Sequence, residues 1–308
     1  MDAIVEIRQR ARARIKRIAL PEYKDQRVID AVKMIAREKI ADVVFLTPDT
    51  IDKRENERYT EEYYNSRKSR GITVEQARKT FEDPLFYAAM LTRDGKVDGF
   101  VAGAAHTTAD VCRAGLHCVG VDERLMTASS SFIMAMPDNP AVPDGALIYA
   151  DCGLIPEPTP RQLACIAISA AELGRKVLDV TPRVALLSYS TKGSAKSIMI
   201  DRVTEALKIL REMAPDLLAD GELQADAALV PGVGKIKCPD SLVAGRANVL
   251  IFPNLEAGNI CYKLTERLAG ARALGPLLMG FKRPCSDLSR GCSAEDVMDC
   301  VAVTSIRS

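Results

Sequence analysis

Short apolar runs rich in β-branched residues alternate along this chain with segments of helical periodicity, and that alternation limits the fold more than any other feature. Residues 17–21 read as a strand, 25–39 as a helix with Val28, Val32 and Ile35 on one face, and 42–46 as a second strand stopped by Pro48. Further strands are expected at 99–103, 129–136, 146–150, 184–188, 226–230, 249–252 and 274–279. Helices are expected at 74–81, 84–91, from 107, at 159–176, 195–213 and 255–269, and finally at 294–307. Strands that alternate with helices build βαβ units and mainly parallel sheets. A chain of 308 residues is long for one such domain and normal for two. The expected fold class is therefore α/β, as two α/β domains with mainly parallel sheets. A boundary falls near 125–130, and the last strand and helix return to the first domain. Aromatic residues make up only 5% and Trp is absent, so Ala, Val, Ile and Leu must fill the core.

Bulk properties exclude several functions. The 42 basic and 41 acidic residues leave a net charge of +1, so no global field recruits nucleic acid or an anionic membrane. A basic run at 8–17 carries an apolar stripe of Ile4, Ile7, Ala11 and Ile15, which reads as a solvated amphipathic helix. No apolar run approaches the ~18 residues of a membrane span, and the N-terminus lacks a signal peptide's apolar stretch. The 9 cysteines are an odd number with no C-x-x-C pair, which reads as reduced thiols in a cytoplasmic protein, several of them core fillers. Cys285, Cys292 and Cys300 are too evenly spread for a usual zinc site. With only His106 and His117 present, no metal site and no His-based triad is expected; both read as hydrogen-bonded structural histidines.

In open α/β sheets ligands collect beyond the carboxyl ends of the strands. Three polar loops lie at such places. The first, Gly103-Ala104-Ala105-His106-Thr107-Thr108-Ala109-Asp110, leads to Arg113. The second is Ser188-Tyr189-Ser190-Thr191-Lys192-Gly193-Ser194-Ala195. The third, Asp287-Leu288-Ser289-Arg290-Gly291-Cys292-Ser293, runs into the last helix. Each offers hydroxyls and cations where a strand gives way to a helix, a setting that attracts anions. They are expected to converge on one anionic ligand, contacted by Thr107, Thr108, Ser190, Thr191, Lys192, Gly193 and Arg290, whose planar fork suits phosphate or carboxylate.

Plainer roles stand beside these. Ser293-x-x-Asp296 has the form of a capping box with Asp in place of Glu or Gln, in which Asp296 only satisfies backbone donors. Thr107 and Thr108 are also placed to cap a helix, and Lys192 to be a solvated turn residue. The G-x-x-x-x-G-K-[S/T] and G-x-G-x-x-G fingerprints are absent; Gly232-Val233-Gly234-Lys235 is a loose imitation, read as a loop.

Asp98-Gly99-Phe100-Val101-Ala102-Gly103-Ala104, followed by Thr107-Thr108-Ala109-Asp110-Val111-x-Arg113-Ala114, resembles the phosphate acetyltransferase family. So do Leu187-Ser188-Tyr189-Ser190-Thr191-Lys192-Gly193-Ser194-Ala195, Asn254-Leu255-Glu256-Ala257-Gly258-Asn259-Ile260 and Asp287-Leu288-Ser289-Arg290-Gly291-Cys292-Ser293. The motifs keep the family's order and together cover most of the chain, while 49–78 is shorter than usual for it.

The resemblance implies reversible transfer of an acetyl group between acetyl phosphate and CoA. It implies two α/β domains with a cleft between them, like isocitrate and isopropylmalate dehydrogenases, in a homodimer. Residues 1–127 with 281–308 would form one domain and 128–280 the other. CoA, acetyl-CoA, acetyl phosphate and phosphate are then substrates, with no cofactor bound permanently. Asp296 matches the family's general base for the CoA thiol, Ser289 the group that stabilises the tetrahedral intermediate, and Arg290 the cation on the phosphoryl group. Arg113, Arg67 and Arg267 match arginines that bind substrate or CoA. Two other readings stay open: a phosphate butyryltransferase with the same chemistry, and a non-catalytic module that senses acetyl-CoA.

Overall fold

The computed structural model describes residues 2–136, 139, 142 and 144–308. The chain forms two compact units, Met1–Glu6 with Arg124–Gly280, and Ile7–Glu123 with Phe281–Ser308.

The second of these units holds the first three strands and the last. With strands numbered in chain order, β1 (Arg17–Leu20), β2 (Asp42–Phe45), β3 (Gly99–Ala102) and β10 (Cys285–Asp287) pair in parallel in the order β2-β1-β3-β10. Every residue of β3 and β10 is buried, as is β1 after Arg17, which requires cover on both faces. Its helices are α1 (Ala3–Ala13) from Ile7 onward, α2 (Gln26–Glu38), α3 (Lys53–Arg67), α4 (Val74–Thr80), α5 (Pro84–Arg93), α6 (Thr108–Ala114) and α12 (Ala294–Arg307). Asp25 caps α2 by accepting the Arg27 N–H at 2.9 Å, and Val28, Ala31 and Ile35 form its buried face.

Helix α12 is buried from Val297 to Ser305, a run that includes Asp299. That carboxylate takes the Nε–H of Arg8 at 2.5 Å, and the same guanidinium reaches Glu295 at 2.7 Å. Arg12 pairs with Glu38 at 2.7 Å. Much of the basic N-terminal run is thus spent on internal ion pairs. Removing Arg8 would strand a buried charge, at a cost of about 3–5 kcal/mol.

The other unit contains β4 (Ser129–Ala135), β5 (Ala146–Ala150), β6 (Val184–Leu187), β7 (Ala219–Leu223), β8 (Val249–Ile251) and β9 (Arg272–Met279), in the order β9-β4-β5-β8-β6-β7. β4 runs antiparallel to both neighbours; β5, β8, β6 and β7 are parallel. Its helices are α7 (Pro160–Leu173), α8 (Ile198–Met213), α9 (Ala225–Leu229), α10 (Pro231–Lys237) and α11 (Leu255–Leu268). The core gathers Met134, Leu187, Leu223, Leu250 and Phe252, with Phe132 stacked on Tyr262 at 4.1 Å.

Three elements differ from the sequence reading, the first being β10, a strand over Cys285–Asp287 where none was expected. Residues 226–230, expected as a strand, belong to helix α9, and the strand lies earlier, at β7. β7 contains Asp220, Gly221 and Glu222, poor strand formers that hide it from propensity, whereas Ala-rich 225–229 satisfies its backbone locally. The stretch around Gly232–Lys235, expected as a loop, forms α10 behind Pro231. The linker 137–145 lies partly outside the described residues.

Candidate active site

Three loops follow the carboxyl ends of the adjacent parallel strands β1, β3 and β10, where a sheet of this kind binds its ligands. After β10 the chain turns from buried Leu288 to exposed Ser289, Arg290 and Gly291. Ser289 Oγ accepts the Gly291 N–H at 3.2 Å. Ser293 then caps α12: its N–H and Oγ–H each donate to Asp296 Oδ2 at 2.8 Å, and its Oγ accepts the Asp296 N–H at 3.1 Å. The capping box is therefore formed, and it fixes Asp296 in the first turn of a helix whose positive end faces the loop. Among the described residues the Arg290 side chain has no hydrogen-bond or ion-pair partner.

The loop after β3 differs. Glu22, which follows β1 and is almost wholly buried, accepts the N–H groups of Gly103, Ala104, Ala105 and His106 at 3.0, 2.9, 2.8 and 2.9 Å. His106 adds Nδ1 to Glu22 at 2.8 Å and Nε2 to Asp83 at 3.0 Å. Asp83 first and Glu22 second push the His106 pKa up to about 10, so the imidazole is a fixed cation. Burial works against the charge of Glu22, but the bonds from His106 and the backbone outweigh it and hold the carboxyl below its usual range. This loop has the form of an anion-binding nest, and the chain fills it with its own carboxylate.

Helix α6 begins with a second hydroxyl–aspartate box. Thr107 Oγ donates to Asp110 Oδ2 at 2.7 Å and accepts the Asp110 N–H at 3.2 Å. Thr108 Oγ donates to Asp287 Oδ2 at 2.6 Å. Asp287 is fully buried, and its Oδ1 has no hydrogen-bond partner. Burial pushes its pKa up to about 7 despite the Thr108 bond, with Glu22 adding to the rise. Gly103, at φ +113, makes this approach possible: a Cβ there would lie 2.1 Å from Asp287 Oδ1.

Arg113 donates to Asp110 Oδ1 at 2.7 Å and is half exposed. His117, bonded through Nδ1 to Tyr63 Oη at 3.0 Å, has its pKa lowered to about 4 by burial first, then by Arg67, Arg113 and Arg70. One imidazole thus senses three arginines, and Arg67 and Arg113 share a neighbourhood although 46 positions separate them in sequence (113 − 67).

Ser190, Thr191, Lys192 and Gly193 belong to the other unit, after β6. There Glu222 of β7 accepts Ser190 Oγ–H at 2.8 Å and Gly193 N–H at 2.7 Å. Lys192 Nζ pairs with Asp220 and donates to the Gly221 carbonyl at 3.1 Å. Thr191 Oγ accepts the Gln224 N–H at 2.9 Å. This loop too is held by carboxylates of its own chain. The Asn254–Ile260 motif shapes α11: Asn254 caps it, Asn259 Nδ2 donates to the Cys152 carbonyl at 3.0 Å, and a Cβ on Gly258 would lie 2.3 Å from the Asp151 carbonyl oxygen. Arg267 is exposed near the end of α11, beside Glu266 at 3.8 Å.

Sequence reasoning assigned no role to Glu22, Arg27, Asp220, Glu222 or Asp287. Their signal was position. Glu22 and Arg27 follow the carboxyl end of β1, and Asp287 ends β10. Asp220 and Glu222 lie in β7, a few residues before the strand expected at 226–230.

A family model described as phosphate acetyl/butaryl transferase matches residues 2–305. A phosphate acetyltransferase of Acetivibrio thermocellus is 43% identical over 327 residues, covering 100% of this chain and 98% of that protein. The crystal structure of a phosphotransacetylase from Streptococcus pyogenes matches with a TM-score of 0.90 at 34% identity, over 99% of this chain and 97% of that one. A putative 4-hydroxythreonine-4-phosphate dehydrogenase from Salmonella typhimurium, at 11% identity and a TM-score of 0.56 over 96% of this chain and 99% of that one, shows the shared fold alone. With the family's pattern running almost end to end through these strands and loops, this chain belongs to the phosphate acetyl/butaryl transferase family.

Proposed function

We propose that this chain is an acyltransferase that moves an acetyl group reversibly between acetyl phosphate and CoA, by direct attack of the CoA thiolate in a ternary complex. The observation that carries the reading is Arg290. It is an exposed cation with no internal partner among the described residues, beside the N-terminus of α12, while the other two anion-suited loops hold their own carboxylates. A guanidinium so placed suits a phosphoryl group.

The chemistry needs a thiolate and a place for developing charge. A free thiol has a pKa near ~8.5, so a nearby base is useful at neutral pH. Asp296 takes the thiol proton. The sulfur attacks the acetyl carbonyl, and a negative charge forms on its oxygen, to which Ser289 Oγ–H donates. One such donor contributes on the order of 10²–10³ in rate. The intermediate collapses by breaking the bond between carbonyl carbon and bridging oxygen. Phosphate leaves with that electron pair, held by Arg290. In reverse, Asp296 returns the proton to sulfur. No covalent enzyme intermediate is formed and no resident cofactor is required.

Arg67 and Arg113, clustered with Arg70 around His117, suit the phosphates of CoA. Thr107 and Thr108, at the start of α6 in the same unit as Arg290, frame the substrates. The relatives' names favour acetyl over butyryl, a choice that turns on a methylene or two of pocket, worth about 1–3 kcal/mol. We assign a homodimer, because Ile260, Leu264 and Leu268 stand 57%, 53% and 82% exposed at four-residue spacing on α11. No helix among the described residues is long and apolar enough to cross a membrane, and cysteines that form no disulfide among the described residues suit a reducing cytoplasm.

The test is to mix the protein with CoA and acetyl phosphate, without added metal or nucleotide, and follow thioester absorbance. Thioester formation is expected, faster than with butyryl phosphate. No thioester at any protein concentration contradicts the reading, and a preference for butyryl phosphate selects the alternative.

A further inference from the structure

Arg27, in the first turn of α2, has all five of its N–H donors engaged. Nε donates to Asp25 Oδ1 at 3.0 Å and Nη2 to Asp25 Oδ2 at 2.6 Å. Nη2 also donates to the Ala104 carbonyl at 2.6 Å. Nη1 donates to the carbonyls of Arg290 at 2.6 Å and Cys292 at 3.2 Å. With its fork filled and its charge balanced by Asp25, this arginine has no donor left for a substrate.

The two carbonyls it holds in the Ser289–Ser293 loop belong to particular peptide groups. The Arg290 carbonyl is the other end of the amide whose Gly291 N–H is bonded to Ser289 Oγ. The Cys292 carbonyl is the other end of the amide whose Ser293 N–H is bonded to Asp296 Oδ2. Arg27 therefore grips the oxygen side of both peptides whose nitrogen sides meet the hydroxyl and the carboxylate of the proposed site. Its bond to Ala104 ties the same guanidinium to the loop that Glu22 fills. A peptide held at both ends cannot flip, and bonds chained through an amide polarise one another.

We propose that Arg27 is the positioning residue of the catalytic loop: it fixes the two peptides on which Ser289 and Asp296 rest, and so sets the direction in which Arg290 projects. The proposal rests on the phosphate acetyltransferase reading of that loop. Its requirement is geometric, a planar fork reaching three carbonyls and a carboxylate, which the point charge of a lysine does not reproduce.

The experiment compares wild type, R27A, R27K, D25N, R290A and R27A/R290A as full chains, with initial rates in both substrates and CoA binding by calorimetry. R27A is expected to lower kcat at least ~10-fold and to raise the KM for acetyl phosphate, with the Kd for CoA within ~2-fold of wild type. R27K is expected to match R27A rather than wild type. Because Arg27 acts through the loop, R27A/R290A should be no slower than R290A alone; additive losses overturn the proposal. Full kcat in R27K or R27A also overturns it. If R27A does not fold, R27K and D25N decide, since Asn keeps the Oδ1 acceptor that caps α2 but turns an N–H donor toward Nη2; wild-type kcat in either is the contradicting result. Failure of the underlying reading looks different: wild type then forms no thioester, or R290A matches wild type while R27A does not.

Discussion

Ser293 donates twice to one oxygen of Asp296, through its N–H and its Oγ–H, each at 2.8 Å. The carboxylate that caps the last helix is thereby held at the mouth of the Ser289–Arg290 loop. Capping and proton transfer are separable by substitution. An asparagine oxygen still accepts those bonds, so D296N should lose less than about 1 kcal/mol of stability, from the charge at the helix end. Its kcat/KM should fall at least ~10²-fold, because an amide is no base. S293A should lose about 1 kcal/mol of stability with a smaller loss of rate. Kinetics and urea unfolding of both variants check this; full activity in a less stable D296N would leave Asp296 a cap and nothing more.

Asp287 and Thr108 give a pH signature. Burial raises the folded pKa of Asp287 to about 7, above its ordinary 3.8. Between those values the unfolded chain releases a proton that the folded chain keeps, so this group disfavours folding increasingly up to pH 7 and no further above it. D287N removes that penalty. Urea midpoints should therefore move in favour of D287N relative to wild type as pH rises across the window; a constant difference would contradict the assignment.

His106 has the opposite sign. Its folded pKa of about 10 exceeds the ordinary 6.5, so its contribution to stability is full below 6.5 and is lost as pH rises through 10. H106Q should be less stable than wild type at pH 6, and the gap should close toward pH 10 in the same unfolding series.

The apolar stripe of α11 makes a separate claim. A glutamate at Leu264, between Ile260 and Leu268, places a charge in the middle of the assigned contact. L264E should sediment as a monomer where wild type sediments as a dimer, with α11 still folded, because Leu264 is 53% exposed within the chain.

Much of this molecule was readable in the residues, because strands such as 17–20 and helices such as 26–38 carry their own periods and caps. The last helix could be placed to the residue from Ser293, since a cap is local chemistry. β7 was misplaced because its Asp220, Gly221 and Glu222 are kept in a strand by tertiary partners that no local pattern shows. Arg290, Ser289 and Asp296 were visible as a short motif. Arg27 was not, since 263 residues separate it from Arg290 and only the sheet order brings β1 and β10 to either side of β3. The filled nest at Gly103–His106 was equally hidden: the loop looks open in sequence, and Glu22 closes it only after folding.

The most direct measurement is the rate of acetyl-CoA formation by R290A across a range of acetyl phosphate concentrations, beside its affinity for CoA. Arg290 is exposed and unpartnered among the described residues, so its loss should leave the fold and the Kd for CoA unchanged. The kcat/KM for acetyl phosphate should fall at least ~10²-fold in R290A. Wild-type turnover by R290A at every acetyl phosphate concentration would contradict this expectation.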